Sequence, residues 1–221
     1  MFRERVVRGG VVWENGSPGP HRVLPDGCLD LVWAGGEVVV AGPDTGFRVV
    51  SGGGGVVLGL RFTHGMGPVV LGVPAVELVD RLVPLADLWG GAEAERLAER
   101  LAEASAPGAV LASLAARRMG EAGPDPLAAE LFAGPVGSVA GLAGRVGLSE
   151  RQLHRRALAS FGYGVKTLMR VRRLSGALDL LREGVAPAEA AVRGGYADQA
   201  HLGREVKAMT GLPPSAYRPA R

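Results

Sequence analysis

The sequence predicts an α+β N-terminal half, a small antiparallel sheet plus helices, followed by an all-α half assembled from two copies of one helical unit. Three observations carry that prediction. Short β-rich runs alternate with glycine and proline clusters between residues 20 and 62. Apolar residues recur at helical spacing from residue 75 onward. GLSERQLHRRALASFG, from Gly147 to Gly162, is echoed about fifty residues later by GYADQAHLGREVKAMTG, from Gly195 to Gly211.

A chain of 221 residues suffices for two small domains with real cores. The charge divides in the same way: up to Asp125 there are 11 Lys+Arg against 15 Asp+Glu, a net −4, and beyond it 14 against 7, a net +7, which together give the +3 of the whole chain. A basic C-terminal half beside an acidic N-terminal one points to a polyanionic partner for the former. Lys166 and Lys207 are the only lysines. Arginine suits phosphates and guanine edges, although an Ala/Gly/Arg-rich composition also expresses plain codon bias. The opening MFRERVVR lacks a signal-peptide core, and stretches such as Val69–Val76 are too short to span a bilayer, so a cytoplasmic protein is expected. The single cysteine, Cys28, fits a reducing compartment.

The expected strands are RVL from Arg22, LDLVW from Leu29, EVVVA from Glu37, FRVV from Phe47 and VVLGLRF from Val56. Turn clusters at Pro25–Gly27, Gly35–Gly36, Gly42–Asp44 and Ser51–Gly55 imply short hairpin-like links between consecutive strands. Helices are expected over Ala75–Leu85, Ala92–Ala104 and Ala109–Met119. The stretch Gly120–Pro126 reads as a hinge, which divides the chain into residues 1–122 and 123–221.

In the second half Ser138 is an N-cap, and Val139, Leu142, Ala143 and Val146 form one apolar stripe ending at Gly147. Ser149 and Gln152 stand in capping-box spacing ahead of a helix whose buried side is Leu153, Ala157 and Phe161. Helix, glycine turn, helix is the helix-turn-helix layout. A shift of 49 residues aligns Ser149 with Asp198, Leu153 with Leu202, Ala157 with Val206, Arg155 with Arg204 and Gly162 with Gly211. The two units thus occupy about 138–162 and 187–211. A linking helix over about 166–182, with Leu168, Val171, Leu174, Leu178 and Leu181 on one side, spans about 26 Å. That length suits two recognition helices entering successive major-groove segments, which repeat about every 34 Å.

SVAGLAGRVGLSERQLHRR from Ser138, the linking helix, and GYADQAHLGREVKAMTGLPPSAYR from Gly195 together resemble the AraC/XylS family of transcriptional regulators over roughly residues 126–218. The resemblance implies sequence-specific promoter binding through two helix-turn-helix units. LPDGCLDLVW from Leu24, AGPDT from Ala41 and RFTHG from Arg61 are similar to actinobacterial sensor-like domains fused to such units. Ala190 and Gly194 depart from the larger apolar residues usual in the family, and Ala200 and Gly203 replace groove-facing side chains, so the second unit is expected to pack less well and read less.

Arg151, His154 and Arg155 share the outer face of the first recognition helix and are the expected base readers, with Gln199 and Arg204 in the second. Arg156, Arg172, Arg173 and Lys207 are expected to contact phosphates. Trp33, Arg61 and His64 are the candidates for an effector pocket between sheet and helices. The expected partners are double-stranded promoter DNA, a small-molecule effector, RNA polymerase at activated promoters, and a second copy of the chain; no membrane, cofactor or metal is expected. His21, Cys28 and His64 lack metal-ligand spacing, and the SGGGG run lacks the context of a phosphate loop. An enzyme is not expected. The alternatives are an alkyl-DNA-repair-like regulator using Cys28, which has no companion cysteines, and a regulator whose N-terminal half only dimerises or contacts another protein.

Overall fold

The computed structural model describes residues 2–17, 19–51, 55–120, 125–133 and 137–219. Residues 121–124 of the expected hinge, the boundary at 122/123 within them, and residues 52–54 of the glycine run lie outside the described residues.

Among the described residues, eight strands precede the helical half. They are β1 (Phe2–Val7), β2 (Gly10–Asn15), β3 (His21–Val23), β4 (Asp30–Ala34), β5 (Glu37–Ala41), β6 (Arg48–Val50), β7 (Val57–Phe62) and β8 (Leu82–Pro84). Six of them form one antiparallel sheet in the order β1-β2-β7-β4-β5-β8, and β3 pairs with β6 in a separate two-stranded ribbon. Among the described residues, β4–β5 is the one pair of expected chain neighbours that forms a hairpin, so the expectation of consecutive pairing holds there and fails for β3, β6 and β7. β7 returns from a distance to lie between β2 and β4. The β1–β2 hairpin was not foreseen in the sequence. β1 is an edge strand whose Phe2 and Val6 are 54% and 83% exposed, so no alternation marks it. Its charged run, Arg3-Glu4-Arg5, suits an edge left unpaired.

Strand side chains alternate between faces. One face of the sheet presents Val12, Leu31, Val38, Val40, Leu58, Leu60 and Phe62 to the core formed with α1 (Met66–Leu71), α3 (Gly91–Glu103) and α4 (Pro107–Met119). A Cβ on Gly108 would stand 2.9 Å from Val12, which is how closely α4 approaches β2. The helix expected over Ala75–Leu85 is instead a 3₁₀ turn at Ala75–Leu78, strand β8, and a short α2 (Leu85–Trp89). Asp80, at φ 56°, reverses the chain there, and Pro84 pushes Val83 out of the helical region.

The C-terminal half contains α5 (Pro126–Ala133), α6 (Val139–Arg145), α7 (Glu150–Phe161), α8 (Val165–Arg182), α9 (Pro187–Arg193) and α10 (Gln199–Thr210), then a 3₁₀ turn at Pro214–Tyr217. Its core is built on α8, whose Leu168, Val171, Leu174 and Leu181 are fully buried and whose Leu178 is nearly so. Against it pack Leu142, Leu153, Ala157 and Phe161 from the first unit and Ala190, Leu202 and Val206 from the second. Among the described residues, no helix is long and apolar enough to cross a membrane.

Candidate nucleic-acid interface and effector cavity

The first unit is fixed by its caps. Ser138 Oγ accepts from Gly141 N–H, and Ser149 and Gln152 complete a reciprocal capping box, with Ser149 N–H donating to Gln152 Oε1 at 2.9 Å. In the second unit Asp198 Oδ1 accepts from His201 N–H at 2.6 Å, while His201 Nδ1 accepts from Ala197 N–H at 3.3 Å. Each cap satisfies backbone donors that a helix start leaves open. Both recognition helices end on a left-handed glycine, Gly162 at φ 74° and Gly211 at φ 73°.

With Leu153, Ala157 and Phe161 buried, the opposite face of α7 is open, and Arg151, His154, Arg155 and Arg156 are all exposed. The His154 ring lies over the turn after the helix, where a Cβ on Gly164 would come within 2.7 Å of it. On α10, Gln199, Arg204 and Lys207 are exposed, and Gly203 has nothing within 4 Å of where a Cβ would stand. The second unit is tied to the linking helix by Arg170, which donates to Glu205 at 2.8 and 3.3 Å. Those hydrogen bonds hold the Glu205 carboxyl below the usual carboxylate range.

Two of the expected phosphate contacts are engaged inside the protein. Arg172 donates to the Leu131 carbonyl at 3.0 Å and lies 6.0 Å from the Phe132 ring centroid, so it pins α5 to α8. Arg173 lies over the Tyr196 ring at 5.5 Å. Tyr196 in turn fills the room beside Gly194, where a Cβ would meet its ring at 3.1 Å. At Gly194, then, an aromatic neighbour occupies the space that the small residue leaves.

The three expected effector contacts do not share a pocket. Trp33 faces the core with Leu31, packed against the helices that fill the space where the pocket was expected. His64 is at the boundary between the two halves, stacked on Phe132 with centroids 3.3 Å apart and 6.1 Å from Phe161. Its Nε2 lies 3.0 Å from the Asp26 carbonyl and 3.4 Å from Cys28 Sγ, and burial lowers its pKa. Arg61 sits between two carboxylates, 3.2 Å from Asp26 and 3.5 Å from Asp30.

An apolar hollow lies on the other face of the six-stranded sheet, beneath the β3–β6 ribbon. It encloses about 330 Å³ and is lined by Trp13, Val32, Val39, Ala41, Val57 and Leu82 from below and by His21, Val23, Arg48 and Val50 from the ribbon. Gly59 makes its floor flat, since any Cβ there would overlap the Trp13 indole, whose Nε1 donates to Asp30 at 2.6 Å. A more open cleft of about 560 Å³ adjoins it, sharing Trp13, Asn15, His21, Val23 and Asp26 and walled on its far side by Leu174, Ser175, Leu178 and Arg182 of α8.

The connection between β5 and β6 joins this hollow to both recognition helices. Arg48 donates through Nη2 to both Asp44 oxygens, at 2.7 and 2.8 Å. The Asp44 carbonyl accepts from the Tyr163 hydroxyl, one residue past the α7 cap. A Cβ on Gly162 would stand 2.8 Å from Pro43 and 3.1 Å from the Ala75 carbonyl oxygen, and one on Gly211 would stand 2.7 Å from Phe47. In the sequence, the opposite charges four apart at Asp44 and Arg48 are the one local sign of this connection; nothing local marks Phe47 or Tyr163.

An α+β half carrying a cavity, joined to two capped helix-turn-helix units on one linking helix, defines a two-domain helix-turn-helix protein. The profile of a helix-turn-helix domain family matches residues 142–220, and that of a domain of unknown function (DUF6597) matches residues 7–84. The C-terminal half is thus an AraC-type helix-turn-helix domain, and the N-terminal half carries a member of the uncharacterised family. ToxT from Vibrio cholerae has the same fold, superposing over 98% of this chain and 97% of its own at 12% identity with a TM-score of 0.50. Unsaturated fatty acid bound ToxT gives 14% identity over 98% and 94% of the two chains with a TM-score of 0.48. The transcriptional regulator CdpR from Pseudomonas aeruginosa gives 24% identity over 76% of this chain and 46% of its own, with a TM-score of 0.37. No curated protein sequence matches the chain significantly.

Proposed function

We propose that the chain is a cytoplasmic, sequence-specific DNA-binding transcription regulator whose N-terminal half takes a small-molecule effector. The observation that supports it most is the pair of capped helices in 49-residue register, each with its polar face open, on a half of net charge +7. In this reading Arg151, His154 and Arg155 read bases from the first unit and Gln199 and Arg204 from the second, while Arg156 and Lys207 meet phosphates. One chain supplies two groove-entering helices, so reading two segments does not require a second copy. Its partners are then promoter DNA, the effector and, at activated promoters, RNA polymerase. The Asp44–Arg48 connection gives the effector a route to both helix ends, because it touches the cavity at Arg48 and the two terminating glycines at Pro43 and Phe47.

In this proposal the protein is non-catalytic. Cys28, the nucleophile that an alkyl-transfer reaction would use, is buried, and burial together with Asp26 and Asp30 pushes its thiol well above the ordinary range. A thiol so held is unreactive.

Binding of the full chain to promoter-derived DNA, titrated against salt, tests the proposal. Five or six phosphate contacts give a double-logarithmic slope of about −5. A slope near zero, or no preference among promoter fragments, removes it.

A further inference from the structure

The hollow under the β3–β6 ribbon carries polar groups that define its occupant. His21 and Arg48 line the hollow, and His21 Nδ1 and Arg48 Nε are buried with no partner among the described residues. A buried polar nitrogen without a partner bears the full cost of its lost water, which a ligand supplying the missing hydrogen bond removes. The remaining wall is largely Val, Ala, Leu and the Trp13 ring. Its volume is at the small end of the range for small-molecule sites, which suits a compact one- or two-ring body.

The charges exclude one class of occupant. Asp26, Asp30, Asp44 and Arg48 line the hollow, with Arg61 beside the first two. Arg48 is committed to Asp44 through both carboxylate oxygens, and Arg61 is shared between Asp26 and Asp30. Both guanidinium groups are therefore already neutralised, and carboxylates outnumber them by three to two. Burial pushes the Asp30 and Asp44 carboxyls upward in pKa, so this environment already disfavours negative charge. A ligand carboxylate would enter apolar surroundings with no free cation to meet it.

We infer that the hollow binds a compact, uncharged, mainly apolar molecule bearing a hydrogen-bond acceptor, held by Arg48 Nε–H with His21 beside it, and that it discriminates against the corresponding carboxylate. This rests on the reading of the N-terminal half as an effector domain and names the ligand class and its seat. Asp44 already holds the Nη2 end of the same guanidinium, which leaves Nε–H as the donor for the acceptor.

Isothermal titration of the full chain at pH 7.5 with 2-acetylnaphthalene and with 2-naphthoate, two probes that share a ring system and differ in charge, tests it. The ketone should bind at least tenfold more tightly than the carboxylate. Val39→Phe and Ala41→Leu, which fill the floor from two positions of β5, should each abolish ketone binding with the circular dichroism spectrum unchanged. Asp44→Asn frees Arg48 and should bring naphthoate to within about threefold of the ketone. Naphthoate binding as tightly as the ketone, and lost in both filled variants, would leave the effector domain standing and overturn the inferred chemistry. Ketone binding that survives both filled variants overturns the assigned seat. Failure of both probes to bind the unaltered chain removes the effector reading of this hollow and the inference with it.

Discussion

The recognition helices of the first and second helix-turn-helix units share side-chain N-caps, buried positions and glycine terminators, yet the units differ in what they offer a groove and in how they are held. At matching places the first presents Arg151 and His154 where the second has Ala200 and Gly203, and only Arg155 finds its counterpart, in Arg204. The first is seated on the N-terminal half by Gly162 against Pro43 and Ala75, by Tyr163 on the Asp44 carbonyl, and by Phe161 near His64. The second meets it at Gly211 and Phe47 and is otherwise tied to the linking helix through Arg170 and Glu205. A duplicated framework can therefore be kept while its two copies diverge in chemistry, because caps and core fix the helix and leave its outer face free to vary.

The largest effect that tests this contrast is on DNA. Scrambling the half-site under the first unit should nearly abolish specific binding, while scrambling the other should leave a recognisable preference, read by anisotropy on a mapped site at fixed salt. On the protein side, Arg155→Ala should cost about 1–3 kcal/mol and relax preference at its base pair, and Arg204→Ala should cost less. Equal losses in the two units would dissolve the contrast.

A smaller effect separates the seats of the two units. Ala at Gly162 meets a left-handed backbone, with Pro43 and the Ala75 carbonyl in the way, and a carbonyl cannot swing aside. Ala at Gly211 meets the same backbone strain but only the Phe47 ring, which is 39% exposed and can turn outward. Gly162→Ala should then lower stability by roughly 2 kcal/mol or more and Gly211→Ala by about 1 kcal/mol, compared by urea unfolding of the full chain.

How much of this was legible depended on whether the signal was local. Caps, stripes and terminating glycines are local, so Ser138, Ser149, Asp198, Gly162 and Gly211 could be placed from the sequence together with the residues they position. The EVVVA strand is legible because one face is buried and its partner β4 comes directly before it across Gly35–Gly36. β1 is not, since an edge strand exposed on both faces shows no period. The pairing of β3 with β6, and the return of β7 between β2 and β4, are set by packing between distant segments. The cavity depends on that pairing. Trp33 was read as a pocket residue because its neighbours gave no means of telling the two faces of β4 apart, and one position's shift in β4 moves a side chain from Val32's cavity face to Trp33's core face. Arg172 looked like any exposed arginine until α5, absent from the expected elements, came to lie across it.

The smallest effect concerns the tie that only the second unit has. Glu205 occupies the place that Arg156 holds in the first unit, where Arg156 lies exposed and 3.8 Å from Asp125. Glu205 is mostly covered, Arg170 is nearly half exposed, and solvent screening keeps such a pair to about 0.5 kcal/mol. Because the Glu205 carboxyl is held below its unfolded value, the tie contributes fully above the ordinary carboxylate range and is lost as pH falls through the lowered folded value. Glu205→Gln should therefore unfold at a slightly lower urea concentration than the unaltered chain at pH 7, and the gap should close on acidification, because the wild-type side chain then becomes neutral as well. Arg156→Gln, at the equivalent place, should show a smaller gap at pH 7, since its carboxylate partner lies 3.8 Å away on an open surface. A pH-independent gap for Glu205→Gln would mean that the substitution disturbs packing between α8 and α10 and that charge does not hold the second recognition helix to its linker.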